Sequence, residues 1–211
     1  MDRNAVSPSV LTAGDVSIHI RQLFDRFGIH AEGNWDEDKL RILEESSFLF
    51  FGMTPENYKK WFWTENLVVR LEDMSKGGLT SKNLVLLNPA NLTSWTVVHE
   101  LAHAWDASQG WKLSTWMARA TGSQFNYPLF HRMFPKSKSF WYAVGNPPPP
   151  CGVDANFNKL EDFAESVAAY LFPEEAKKRA EERGWSYERF GCQNFHETFR
   201  GKWIDQLVHQ K

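Results

Sequence analysis

Residues Thr96 to Ser108 read "TVVHELAHAWDAS", which places His99 and His103 four residues apart and Glu100 directly after the first. On a helix, positions i and i+4 share one face about one turn apart, so both imidazoles can reach a single ion. Glu100 falls on the edge of that face, near enough to touch a metal-bound water without becoming a ligand. This spacing is the His-Glu-x-x-His pattern of two zinc ligands plus a general base. The surrounding Val97, Val98, Leu101, Ala102 and Ala104 predict a buried helix. Burying two imidazoles and a carboxylate without partners is costly, so each needs a hydrogen bond or an ion.

A catalytic zinc takes three protein ligands and keeps a fourth position for water. The third ligand is not local, because "AWDASQGWKLS" after His103 contains no further histidine. The best source is "KLEDFAESVAAY", where Glu161 and Glu165 again lie four apart, among Leu160, Phe163, Ala164, Val167 and Ala168. Two carboxylates aimed from an apolar stripe toward one place repel each other unless a cation or a histidine lies between them. A solvated acidic face is the competing reading, and Asp162 speaks for it. Spacing alone does not rank Glu161 above Glu165.

Together, "VVHELAHAWD" and the later "EDFAES" resemble the gluzincin metallopeptidases. The similarity is to the branch that contains the anthrax lethal factor catalytic domain and the bacterial Pro-Pro endopeptidases. It spans roughly residues 67 to 172, and only the two helices are specific. The resemblance implies a zincin-like fold, one zinc ion per chain and endopeptidase activity on a peptide or protein substrate. It implies Glu161 as the third ligand and Glu165 as the group that orients a ligating histidine. It also implies a supporting place for Asp106, three residues after His103. The family carries a tyrosine seven residues before its ligating glutamate, to hydrogen-bond the oxyanion; this chain has Asp154 there. Tyr142, in "FWYAVGNPPPP", takes that role if the proline-rich stretch is an insertion, and Tyr127 is a weaker substitute. Two other readings stay open: an inactive gluzincin-like module that binds a peptide or glycan, and a zinc hydrolase acting on a non-peptide amide. A deformylase-type site is disfavoured, since it needs a cysteine before the motif, whereas Cys151 and Cys192 both follow it.

The elements that must hold these groups read as an α+β, mostly helical chain. Residues 1–14 form a loose arm, and 15–211 a single domain with a helical lobe (15–66), a sheet with the active-site helix (67–108) and a second helical lobe (109–211). "VSIHIRQLFDRF" predicts a helix seating Ile18, Ile20, Leu23, Phe24 and Phe27, closed by Gly28. "DEDKLRILEESSFLFFG" predicts another, with Leu40, Leu43 and Phe48 inward. "NLVVRLEDM" and "NLVLLN" read as strands of a small mixed sheet, the second as the edge on which a peptide could pair, with "SKGGLTSK" between them as a mobile flap. Thr93 or Ser94 caps the central helix. Pro147–Pro150 break the helical pattern with a stiff loop that could wall a pocket, Pro173 stops the second ligand-bearing helix, and two closing helices follow.

The chain has 211 residues, 42% hydrophobic and 24% charged, with a net charge of −2. These values suit a folded domain and offer no basic footprint for nucleic acid. Ten tryptophans exceed what a modest core needs, so some are candidates for a groove. No run approaches the roughly 18 apolar residues of a membrane span. The first residues lack the apolar core of a signal peptide, so the chain reads as cytoplasmic or as a secreted mature domain whose leader was removed.

Overall fold

The computed structural model describes residues 13–56, 59, 66–121, 147–153 and 157–209. Within them the chain is α+β and mostly helical. Helix α1 (Ala13–Phe27) leads through Gly28, at a positive φ of 67°, into strand β1 (Ile29–Glu32). Helix α2 (Glu37–Met53) starts where Asp36 accepts a hydrogen bond from the Lys39 N–H at 2.9 Å, with Glu37 and Asp38 in its first turn to complement the helix dipole.

Strands β2 (Leu67–Leu71), β3 (Gly78–Ser81) and β4 (Leu84–Leu87) complete a four-stranded mixed sheet in the order β1-β2-β4-β3. β1, β2 and β4 run parallel, and β3 returns antiparallel to β4. Leu67, Val69 and Leu71 alternate into the core with Val85 and Leu87, as the two-residue period of a half-buried sheet requires.

Against this sheet lies helix α3 (Ser94–Ser108), capped by Thr93, whose hydroxyl accepts from the Thr96 N–H at 3.2 Å. Helix α4 (Lys112–Thr121) follows, and helix α5 (Lys159–Leu171) packs along α3 with α4 on one flank. Asn158 caps α5 by accepting from the N–H groups of Leu160 and Glu161. Helices α6 (Pro173–Glu182) and α7 (Phe199–Val208) close the chain. Trp105, fully buried on α3, meets Phe50 of α2 and Phe163 of α5 edge-on, with ring centroids 6.0 and 5.6 Å away. One indole thus ties three helices, and it sets how α3 and α5 face each other.

The elements differ from the sequence expectations in instructive places. β1 lies inside the stretch read as wholly helical, and "NLVLLN" is no edge strand. β4 pairs on both sides; among the described residues the sheet ends in β1 on one side and, beyond β4, in β3. That strand comes from "SKGGLTSK", the expected flap. Ile18, Phe24 and Phe48 are exposed at 54, 40 and 57% rather than seated. α1 rides on the surface with Leu23 and Phe27 as its buried contacts, and Arg26 lies over Phe48. Pro147–Pro150 are buried, and their run ends in a 3-10 turn at Pro150–Val153. No described helix is long and apolar enough to cross a membrane.

Candidate metal centre

The packing of α5 on α3 brings His99, His103 and Glu161 together. The two Nε2 atoms are 3.1 Å apart, and Glu161 places Oε2 3.2 Å from His99 Nε2 and Oε1 3.6 Å from His103 Nε2. Zinc bonds of about 2.0–2.1 Å at tetrahedral angles separate ligand atoms by about 3.3–3.4 Å. The three side chains therefore already stand at ligand spacing, and their donor set of two imidazoles and a carboxylate suits a divalent ion such as zinc.

Glu165, one turn beyond Glu161, lies behind His99. Its Oε2 accepts from His99 Nδ1 and from Trp95 Nε1, both at 3.1 Å, and its Oε1 accepts from the Cys151 N–H at 3.1 Å. A proton on Nδ1 serves the first of these bonds and leaves the Nε2 lone pair facing Glu161. Burial opposes the Glu165 charge, but the bonds from His99 and Trp95 and the field of Arg179 hold its carboxyl below the usual range.

The site has an excess of negative charge. Burial resists protonation of His99, yet the bonds to Glu161 and Glu165 outweigh it and push its pKa up to about 10. Burial likewise works against ionised Glu161, and its bonds with His103 and His99 overcome that, holding the carboxyl well below the usual range. In the metal-free protein a proton on His99 is the cation this cluster demands. A metal ion held by the same three groups would compete for that place and release the proton.

Glu100 points away from the ligand set, toward β3. The Thr80 hydroxyl lies 2.6 Å from its Oε2 and donates to it. Gly78 is the residue it packs on: a Cβ there would stand 2.5 Å from both Cγ and Oε1 of Glu100. The border strand thus cradles the carboxylate, which lines the same cleft as His99, His103 and Glu161.

These groups open into a cleft of about 550 Å³. Gly77–Thr80 form one wall, and residues of α3 and α5 together with Cys151 are among those that line the rest. Two tryptophans, Trp95 and Trp111, reach it, while Trp35, Trp105 and Trp185 belong to the core. The buried prolines do not line it; only Cys151, at the end of their run, does.

Asp106 does not hydrogen-bond to either imidazole. It is fully buried, and its Oδ1 accepts from the Ser114 N–H at 3.1 Å, near the start of α4. Burial pushes its carboxyl up. Asp162 is not part of a solvated acidic face, since it is fully buried against Arg200. Tyr142, Tyr127 and Asp154 lie outside the described residues. Cys151 and Cys192 are not joined by a disulfide.

Four contributors escaped the sequence reading. Trp95 was detectable, because it precedes His99 by one helical turn on the same face. Thr80 and Gly78 alternate along a strand whose polar, glycine-rich sequence hid it. The Cys151 N–H has no sequence signal at all. No family model matches the chain, and neither a curated protein nor a solved structure matches it.

Proposed function

We propose that the chain is a zinc-dependent metalloendopeptidase of the gluzincin type, acting on a peptide or protein substrate. The observation that carries this reading is the convergence of a His-His-Glu ligand set on an open cleft, beside a further carboxylate, Glu100, that the set leaves out. A closed structural zinc site has four protein ligands and no use for a separately cradled base.

Zinc held by His99 Nε2, His103 Nε2 and a Glu161 oxygen would supply Lewis acidity, polarising a carbonyl and lowering the pKa of water from about 15.7 to about 7. The chain's own groups do the rest. Glu165 fixes the ring of His99 through Nδ1 and keeps Nε2 available. Thr80 occupies Oε2 of Glu100, which leaves Oε1 to take a proton from the attacking water. As the C–N bond breaks and the new C–O bond is retained, that proton passes to the departing amine nitrogen. The open border of β3 offers backbone N–H and C=O groups on which an extended substrate can pair beside Glu100.

Glu100→Gln is the test, with metal content and hydrolysis of a diverse peptide library measured together. One zinc per chain should remain while cleavage falls about 10²- to 10⁴-fold, the usual contribution of a general base. Zinc-loaded wild-type protein that leaves every peptide intact would favour a binding module on the same frame and end the peptidase reading.

A further inference from the structure

The side chains that line the cleft beyond the metal centre are not evenly distributed. Glu100, Glu161 and Glu165 are its carboxylates among the described residues, and all three belong to the centre itself. Every other formally charged group on its described walls, the two imidazoles aside, is a cation: Lys76, Arg179 and Arg183. Three carboxylates and three cations thus line the cleft among the described residues, and Arg179 has a partner of its own, Glu175, outside that lining.

Arg179 and Lys76 lie toward the start of α3, and Arg183 follows Arg179 by four residues at the end of α6. The Arg179 guanidinium lies 4.5 Å from the centre of the Trp95 ring, held there by a 2.8 Å bond from Nε to Glu175. Gly77, next to Lys76, approaches Thr96, since a Cβ on it would stand 3.8 Å from the Thr96 methyl. Trp95 and Thr96 form the first turn of α3, and His99 follows one turn later, about 6 Å along the axis. The other end is apolar. It presents Trp111, whose N–H bonds the Asp106 carbonyl past the last turns of α3, and Leu160 beside Glu161.

We infer that the cleft selects acidic polypeptides, with an Asp or Glu side chain of the substrate at the Lys76–Arg179–Arg183 end and an apolar side chain at the Trp111–Leu160 end. The inference rests on the peptidase reading for the position of the scissile bond, though not for the charge preference. An anionic side chain there gains from cations set against low-dielectric walls, and a basic one meets like charge.

The test uses zinc-loaded Glu100→Gln protein titrated with N-acetylated, C-amidated octapeptide pools. The pools differ in Glu, Gln or Lys at one position, which is stepped along the peptide. Trp95 and Trp111 provide a fluorescence readout, with calorimetry as a second. At one position the Glu pool should bind on the order of tenfold tighter than Gln, and Lys on the order of tenfold weaker. High salt should narrow that gap, and Lys76→Glu with Arg183→Glu should invert the order. Equal affinity of the three pools at every position, or an order unmoved by the charge reversals, overturns the inference. If the Glu100→Gln variant fails to fold, kcat/KM of wild type over the same pools gives the same ranking. Charge-selective binding with no hydrolysis by zinc-loaded wild type removes the peptidase reading and leaves this one standing. Hydrolysis blind to charge does the reverse.

Discussion

Helix α5 buries carboxylates on two faces, and the two are balanced by different means. Toward α7, Asp162 meets Arg200 in a bidentate pair, with Oδ1 2.6 Å from Nε and Oδ2 2.9 Å from a terminal guanidinium nitrogen. Arg200 also donates to the Pro147 carbonyl at 3.0 Å, and both partners are fully buried. Toward α3, Glu161 and Glu165 face two imidazoles, which are neutral unless protonated. The first face has a permanent opposite charge built in and opens on nothing. The second has an anionic surplus that opens on a cleft and could hold a metal ion. A buried carboxylate is therefore no sign of function in itself; what matters is whether the protein supplies the countercharge.

Four experiments bear on that contrast, in descending order of expected effect. Arg200→Met removes the built-in countercharge and leaves Asp162 buried without it, which should cost about 3–5 kcal/mol. Chemical denaturation should show the loss, with zinc content per folded chain unchanged; a wild-type midpoint would dissolve the distinction from one side. Glu161→Gln should do the opposite. It should weaken zinc binding by more than about 100-fold, beyond what loss of an outer partner does, while the metal-free protein loses less stability than Arg200→Met causes. Competition with a chromogenic chelator reads the affinity.

Glu165→Gln keeps the ligands and removes the charge that orients His99. Zinc affinity should fall about 10- to 100-fold by the same competition assay. An unchanged affinity would mean that His99 is held by its helix alone. The smallest effect is a pH dependence. Raising the His99 pKa from 6.5 to about 10 stabilises the metal-free protein fully below pH 6.5, and that contribution fades as pH rises toward 10. The lowered carboxyls of Glu161 and Glu165 contribute above their ordinary pKa of 4.5 and fade as pH falls below it. Tm of chelated protein should thus be highest between about pH 4.5 and 6.5 and decline toward pH 10. Zinc-loaded protein, with His99 neutral, should lack the alkaline decline. Parallel Tm curves for the two forms would contradict the charge surplus assigned to this face.

The chain's sequence shows some of this directly and hides the rest. Helical spacing alone puts His99 and His103 on one face, and apolar neighbours alone predict that the helix is buried. The Thr93 cap and the break at Pro173 are equally local. Ile18, Phe24 and Phe48 misled because an amphipathic stripe at the surface is narrower than the count of apolar residues suggests. β1 and β3 were missed because four residues with at most one buried position carry almost no period-two signal. "KLEDFAES" presents three acids in five residues, and no local rule says which of them look toward α3.

By itself, then, the sequence determined a helix that carries two imidazoles and a carboxylate at metal-binding spacing, because rise and turn per residue are properties of the local backbone. Tertiary structure decided that Glu161 joins the two imidazoles, Glu165 backs His99 and Asp162 faces Arg200, 38 residues away. Those roles depend on how α5 rolls against α3 and α7, and side chains distant in sequence, Trp105 and Phe163 among them, set that roll by close packing.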